Sequence, residues 1–129
     1  LTRSSRLPNT NPIESKMKIT IGKYPFTVTL YENATSARLK SLLPLILEMI
    51  ELNGNRKYAE LSSSLPVDSS VPEIIRTGDL MLYGTSTLVL FYKTFSTTYS
   101  YTPIGHIDDV TDLAIAAGSG DIQVSYSAE

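Results

Sequence analysis

The apolar residues of this chain recur at every second position in short runs, and no other feature restricts the fold as much. Ile19 and Ile21, then Phe26, Val28 and Leu30, alternate with Thr20, Thr27, Thr29 and Tyr31. A spacing of two puts successive side chains on opposite faces of a strand, so the pattern predicts paired strands with one buried and one wet face. Between the runs, Gly22-Lys23-Tyr24-Pro25 predicts a hairpin turn, because Gly supplies unusual backbone angles and Pro ends ladder bonding. The end of the chain alternates as cleanly, with Ile122, Val124 and Tyr126 against Gln123, Ser125 and Ser127.

The middle of the chain predicts further hairpins. Leu45 to Leu52 is read as a strand, although Leu45, Met49 and Leu52 also satisfy a helical spacing, and Asn53-Gly54-Asn55 turns it back into residues 56–61. Gly78-Asp79 opens Leu80-Met81-Leu82-Tyr83, Gly84-Thr85-Ser86 turns, and Thr87 to Tyr92 returns as a continuous apolar run, expected to be the most buried strand. Residues 62–77 are rich in serine and broken by Pro66 and Pro72, which predicts a long connection over the surface, a place where function often resides. Residues 94–102 are rich in aromatic and hydroxyl side chains, and Ile104-Gly105-His106-Ile107 resumes strand character. Asn33 offers an N-cap to a helix over residues 34–43, with Ala34, Leu39, Leu42 and Leu43 on one face and Pro44 as its stop. Asp108 is expected to cap a second helix, with Asp109 and Asp112 in its first turn, Val110, Leu113, Ala114 and Ala117 on one face, and Gly118 at its end.

Residues 1–16 mix Ser, Asn, Thr and Pro with basic residues and show no apolar period, so a flexible arm is expected before a domain running from Met17 to Glu129. Because the chain opens on Leu1, removal of an N-terminal segment and export are an expectation, the compartment being otherwise open. With 42% hydrophobic and 19% charged residues the composition is that of a chain with a packed core. Eleven Lys and Arg against thirteen Asp and Glu leave a net charge of −2, so no cationic surface for nucleic acid is expected. No apolar stretch approaches the roughly 20 residues of a membrane-spanning helix. The absence of cysteine removes disulfides, thiolate metal sites and cysteine nucleophiles. The lone histidine, His106, has Asp108, Asp109 and Asp112 beside it, but helix capping accounts for those carboxylates, so no metal and no cofactor is expected. Glu48, Glu51 and Glu60 read as isolated acids on the solvated face of strands.

These elements predict a mostly β architecture, one meandering sheet with two short helices at separate places along it. Such a sheet hides its edges by closing into a barrel whose ends the helices plug. The order of hairpin, capped helix, hairpin, long loop, Gly-Asp hairpin, Gly-His-Ile, capped helix and closing strand resembles the cyclophilin fold. Leu88-Val89-Leu90-Phe91-Tyr92-Lys93 followed by residues 104–113 resembles the cyclophilin passage in which a phenylalanine-rich strand leads to a Phe-Gly-x-Val turn and the last helix. Residues 53–58, Leu65-Pro66, residues 78–84, and residues 91–95 through 99–102 are similar to the small bacterial cyclophilin-like domain family, and the resemblance covers residues 17–127. It implies a closed eight-stranded cyclophilin-like β-barrel with two short capping helices, sometimes found beside a flavodoxin-type domain or in an exported protein.

Turning an X-Pro bond requires lowering a barrier of about 18–20 kcal/mol, which cyclophilins do with an apolar proline pocket and an arginine that favours the twisted amide. That arginine follows Phe-His in the strand after the first helix; this chain has no Phe-His-Arg, and no tryptophan either. Arg56 is the arginine of a comparable region, beside the Asn53-Gly54-Asn55 turn, where a side chain directed into solvent is the ordinary outcome. Arg76, at the end of the long connection, makes no stronger case. A ligand groove is expected from Met49, Tyr58, Met81, Phe91, Phe95, Tyr99 and Tyr101, because aromatics and methionine make adaptable apolar walls with a few polar tips. Met49, Met81 and Phe91 also fit plain barrel core, whereas residues 95–101 are too polar for one. The expected function is a non-catalytic module binding an extended peptide or small ligand. The alternatives are a weak prolyl isomerase using Arg56 and an accessory to a flavodoxin-type protein.

Overall fold

The computed structural model describes residues 15–129. The arm expected over residues 1–16 therefore lies outside them, except for Ser15 and Lys16, which open the first strand. Along the chain run β1 (Ser15–Ile21), β2 (Tyr24–Leu30), α1 (Ala34–Ser41), β3 (Leu45–Leu52), β4 (Arg56–Glu60), β5 (Ile74–Ile75), β6 (Asp79–Tyr83), β7 (Thr87–Phe91), β8 (Phe95–Ser96), β9 (Thr102–Ile107), α2 (Leu113–Ala117) and β10 (Ile122–Ala128). The expected hairpins form, with Gly22 at φ +60° in the first turn, and residues 45–52 are strand rather than helix.

Eight strands close into an antiparallel barrel in the order β1, β10, β3, β4, β7, β6, β9, β2 and back to β1. Closure leaves no open edge in the wall. The alternation visible in the sequence decides which side chains enter: Met17, Ile19 and Ile21 from β1, Val28 and Leu30 from β2, Leu80 and Leu82 from β6, Leu88 and Leu90 from β7, and Val124 and Tyr126 from β10 all belong to one buried cluster. The Tyr126 hydroxyl finds a partner in that interior by donating to Met49 Sδ at 2.9 Å. Burial pushes the Tyr126 phenol well above its ordinary range. Gly105 of β9 sits where strands approach closely, since an added Cβ would come within 2.6 Å of the Thr29 carbonyl oxygen and 3.2 Å of Leu30 Cα.

The register puts the two helices at opposite ends. α1 joins the end of β2 to the start of β3, whereas α2 joins the end of β9 to the start of β10 beside the first hairpin turn. Asn33 caps α1 as expected, its side-chain oxygen accepting from Ser36 N at 2.8 Å. The buried face of α1 differs from the apolar pattern: Leu39 is buried with Thr35 and Ser36, while Ala34 is exposed. The two hydroxyls enter because each donates to a carbonyl, Thr35 to Pro66 and Ser36 to Ile104.

The second helix is shorter than expected. It begins at Leu113, with Asp112 rather than Asp108 at its N-cap position, and Ala114 is exposed while Leu113, Ala116 and Ala117 are buried. Asp108 is drawn instead to the barrel wall, where it accepts from Thr29 Oγ1 at 2.5 Å and pairs with Lys16 at 2.9 Å. Asp109 closes a local turn by accepting from the amide and hydroxyl of Thr111. No helix among the described residues is long and apolar enough to cross a membrane.

Candidate functional site

Alternation along β4, β7 and β6 that sends Lys57, Ala59 and the leucines of β6 and β7 inward sends a second set of side chains out. On this outer face the register aligns Arg56 with Phe91, Tyr58 with Val89 and then Met81, and Glu60 with Thr87 and then Tyr83. Two chain segments strap this face. β8 pairs with β5, and Tyr101 exchanges backbone hydrogen bonds of 3.0 Å with Ser70 in both directions. Beneath the strap Ile75, Met81, Val89, Phe91 and Tyr101 form a second buried cluster, separate from the barrel interior.

The aromatic rings make a continuous series. Phe91 lies 5.7 Å from Phe95 and meets Tyr101 edge-on at 5.4 Å; Tyr101 lies 5.6 Å from Tyr83, which meets Tyr99 edge-on at 6.4 Å. Such offset and edge-to-face arrangements suit the ring quadrupoles. Arg56, expected to point to solvent, instead lies over Phe91 and Phe95, with its guanidinium carbon 5.2 Å from each centroid. Arg56 Nη1 donates to the Tyr101 hydroxyl at 3.0 Å and Nε to Asn55 Oδ1 at 2.8 Å. The side chain is half-buried because cation–π attraction and these two acceptors replace water. Burial pushes the Tyr101 phenol up, opposed by the adjacent Arg56 charge.

Above this floor lies a cavity of about 390 Å³ walled by Leu52, Tyr58, Val89, Tyr83, Tyr99 and Tyr101, with Arg56 at one end and Glu60 at the other. A second hollow of about 400 Å³ continues on the far side of Arg56 and Tyr99, lined by Asn55, Phe95 and the hydroxyls of residues 96–98. Tyr99, 60% exposed, stands between the two. Glu60 is engaged by the hydroxyls of Ser86 and Thr87.

Of the expected groove residues, Tyr58, Tyr99 and Tyr101 line the main cavity and Phe95 the second hollow. Phe91 lies on the same outer face but under the strap, as a floor, and Met81, in the same buried cluster, lines a separate hollow. Met49 does not reach the groove. It is fully buried inside the barrel, because its position in β3 has inward parity. Leu52, Val89 and Tyr83, not among the expected residues, join Tyr58, Tyr99 and Tyr101, and each follows from parity once Tyr58 is assigned outward and the hairpin registers are known.

Inward parity also sends Lys57 into the barrel end under α2. Its side chain is 1% exposed, and Nζ reaches Glu51 Oε1 at 2.9 Å and the carbonyls of Gly118 and Gly120 at 3.3 and 2.6 Å. Glu51 is thus no isolated surface acid: it also accepts from the Tyr92 hydroxyl at 2.6 Å and from Gly54 N at 2.7 Å. Burial together with that carboxylate pushes the Tyr92 phenol up to about 12. His106 faces a different cavity, with Tyr31, Arg76 and Asp79. Among the described residues no group of three or more His, Asp or Glu side chains is placed to hold a metal ion.

The family model described as "Cyclophilin-like family" matches residues 19–127. Among solved structures, the solution structure of a hypothetical protein from Archaeoglobus fulgidus aligns with a TM-score of 0.67 at 16% sequence identity, covering 92% of this chain and 98% of that one. At that identity the likeness concerns the fold alone. No curated protein matches the chain.

Proposed function

The chain belongs to the cyclophilin-like family, and on that premise we propose that it is a non-catalytic binding domain whose outer aromatic groove takes an extended peptide or a small ligand of similar shape. One observation carries this reading: an exposed tyrosine, Tyr99, stands over a cavity of about 390 Å³ whose apolar walls are tyrosine, leucine and valine. Ligand pockets combine apolar walls with a few placed polar groups. Here the polar groups are the Arg56 guanidinium, the Glu60 carboxylate, Asn53, Thr87 and the tyrosine hydroxyls, which suit peptide carbonyls and amides. The two hollows on either side of Tyr99 suit an extended ligand that passes over the ring.

A panel of proline-containing and proline-free peptides titrated into 15N-labelled protein tests it. Saturable shifts at residues 56–60, 83–89 and 95–101 are expected, and Tyr99→Ala should weaken binding by about tenfold without loss of fold. Shifts elsewhere, or an affinity unchanged by Tyr99→Ala, would sink the reading.

A second reading, weak prolyl isomerisation, has one observation in its favour: Arg56 shares the outer face with Met81 and Phe91 instead of pointing away. An isomerase assay beside Arg56→Ala separates the two. Equal, near-background rates support binding alone, and a rate that collapses in the variant supports catalysis.

A further inference from the structure

On the outer face of β6, Asp79 precedes Met81 and Tyr83. Tyr83 looks into the aromatic groove; Asp79 and Met81 look into a separate cavity of about 420 Å³ that shares no lining residue with it. Its polar walls come from three separate parts of the chain: Tyr31 and Asn33 after β2, Arg76 and Asp79 where the long connection runs into β6, and His106 of β9. Strand pairing sets Asp79 directly beside His106.

The chemistry of these groups is incompletely satisfied. Asp79 is only 6% exposed; its Oδ2 accepts from the backbone amide of Arg76 at 2.8 Å, while Oδ1 has no hydrogen-bond partner among the described residues. Among the described residues the Arg76 guanidinium makes no ion pair with it and no side-chain hydrogen bond, and neither the Tyr31 hydroxyl nor the His106 ring has a hydrogen-bond partner there. A buried carboxylate normally secures its charge with a paired cation, because desolvation is costly. Here the cation stands in the same wall without closing on it.

We propose that this cavity is a second ligand site, and that it takes a small zwitterion with an ammonium beside a carboxylate, that is, a free α-amino acid. The ammonium meets the Asp79 carboxylate, the only acid among the described residues that line the cavity, and the carboxylate meets the planar fork of Arg76, with Tyr31 and His106 as flanking hydrogen-bond groups. One fixed anion and one fixed cation favour a ligand that carries both signs. A lone carboxylate would face Asp79, and a lone amine would face Arg76. Met81 and Pro103 supply an apolar wall for a short side chain. Both charges act on the Tyr31 phenol: burial and Asp79 push it up and Arg76 opposes them.

The test is a titration of the 15N-labelled chain with L-alanine, and with acetate and methylamine separately. Saturable shifts of the amides at Tyr31, Arg76 and His106 are expected, with each single-charge probe weaker by about tenfold or more. Arg76→Gln, at an exposed position, and Asp79→Asn, which keeps an oxygen for the Arg76 amide, should each weaken L-alanine by about tenfold or more. Tyr99→Ala, in the other groove, should leave it unchanged. The proposal is overturned if L-alanine produces no local shift up to roughly 10 mM, if acetate binds as well as L-alanine, or if Arg76→Gln leaves the affinity intact. Should Asp79→Asn fail to fold, Arg76→Gln alone decides.

Discussion

Replacing Glu51 or Lys57 singly and then together tests whether the buried cation under α2 acts as a coupled network or as a set of separate contacts. Lys57 is 1% exposed and has three acceptors, one of them the Glu51 carboxylate. Breaking a fully buried ion pair from one side costs about 3–5 kcal/mol. The Glu51 side chain is 19% exposed, so water takes part of the load and about 2 kcal/mol is expected for Glu51→Gln. Lys57→Met keeps most of the stem and leaves Glu51 with Tyr92 and Gly54, so roughly 1–2 kcal/mol is expected from the lost contacts. Once the partner is gone the second change has little left to remove. The double variant should therefore lose about 2 kcal/mol in total, a coupling of roughly 1–2 kcal/mol. Urea unfolding with unchanged slopes measures it, and thermal midpoints should fall by about 4 °C per kcal/mol. Losses that simply add would refute the network. The pH dependence has a definite sign. Burial opposes ionisation of Glu51, but hydrogen bonds from Tyr92, Lys57 and Gly54 outweigh it and hold the carboxyl below its ordinary 4.5. An acid depressed in the folded state contributes stability that is present above 4.5 and lost as the pH falls through the folded value, so Glu51→Gln should lose that acid-side slope.

Three other substitutions report on the wall and its outer face. Gly105→Ala presses a methyl group against the Thr29 carbonyl and the Leu30 backbone, neither of which can swing aside; a loss of about 3 kcal/mol or more in urea unfolding is expected. Tyr101→Phe removes the acceptor for Arg56 Nη1 and keeps every ring contact, so it should cost about 1 kcal/mol and leave the fold intact by NMR. Burial raises the Asp79 carboxyl above its ordinary 3.8, against the pull of the Arg76 amide, His106 and Arg76. The folded state then loses stability as the pH climbs from 3.8 through the raised value. Asp79→Asn should be the more stable protein at neutrality and no different below 3.8, as chemical denaturation at both pH values would reveal.

The barrel was legible because its determinants are local. Alternation in residues 19–30 and 122–127 is a property of neighbours in sequence, and Gly22, Asn53-Gly54 and Gly84 mark where strands reverse. The second helix departs from its sequence pattern for an equally physical reason. Asp108 looks like a cap in sequence, but Thr29 and Lys16, brought in by β1 and β2, compete for its carboxylate and leave the helix to start later. Thr35 and Ser36 likewise enter the buried face of α1 only because carbonyls of Pro66 and Ile104 wait there.

The groove was half legible, and the dividing line is instructive. Tyr58 and Tyr99 reach the groove as rings with polar tips, whereas Tyr101 lines it while only 2% exposed, against the expectation that residues 95–101 are too polar for a core. The expectation for Met49, which lies inside the barrel, fails because composition carries no parity. Parity alone would have corrected it. If Tyr58 faces out, then Ile50 opposite it also faces out, Met49 faces in, and Lys57 must enter the barrel. What no local pattern supplies is the strap, since the pairing of Ser70 with Tyr101 and of β5 with β8 joins two irregular segments whose partners only the closed barrel brings together. The strap buries Phe91, Met81 and Tyr101 and leaves Tyr99 and Tyr83 exposed at its rim. A cover evolved only for stability would gain by burying those two rings as well, at roughly 25 cal/mol for each Å² of apolar surface removed from water. That it stops short, with a cavity beneath the exposed rings, is the physical ground for reading this face as a place where another molecule completes the burial.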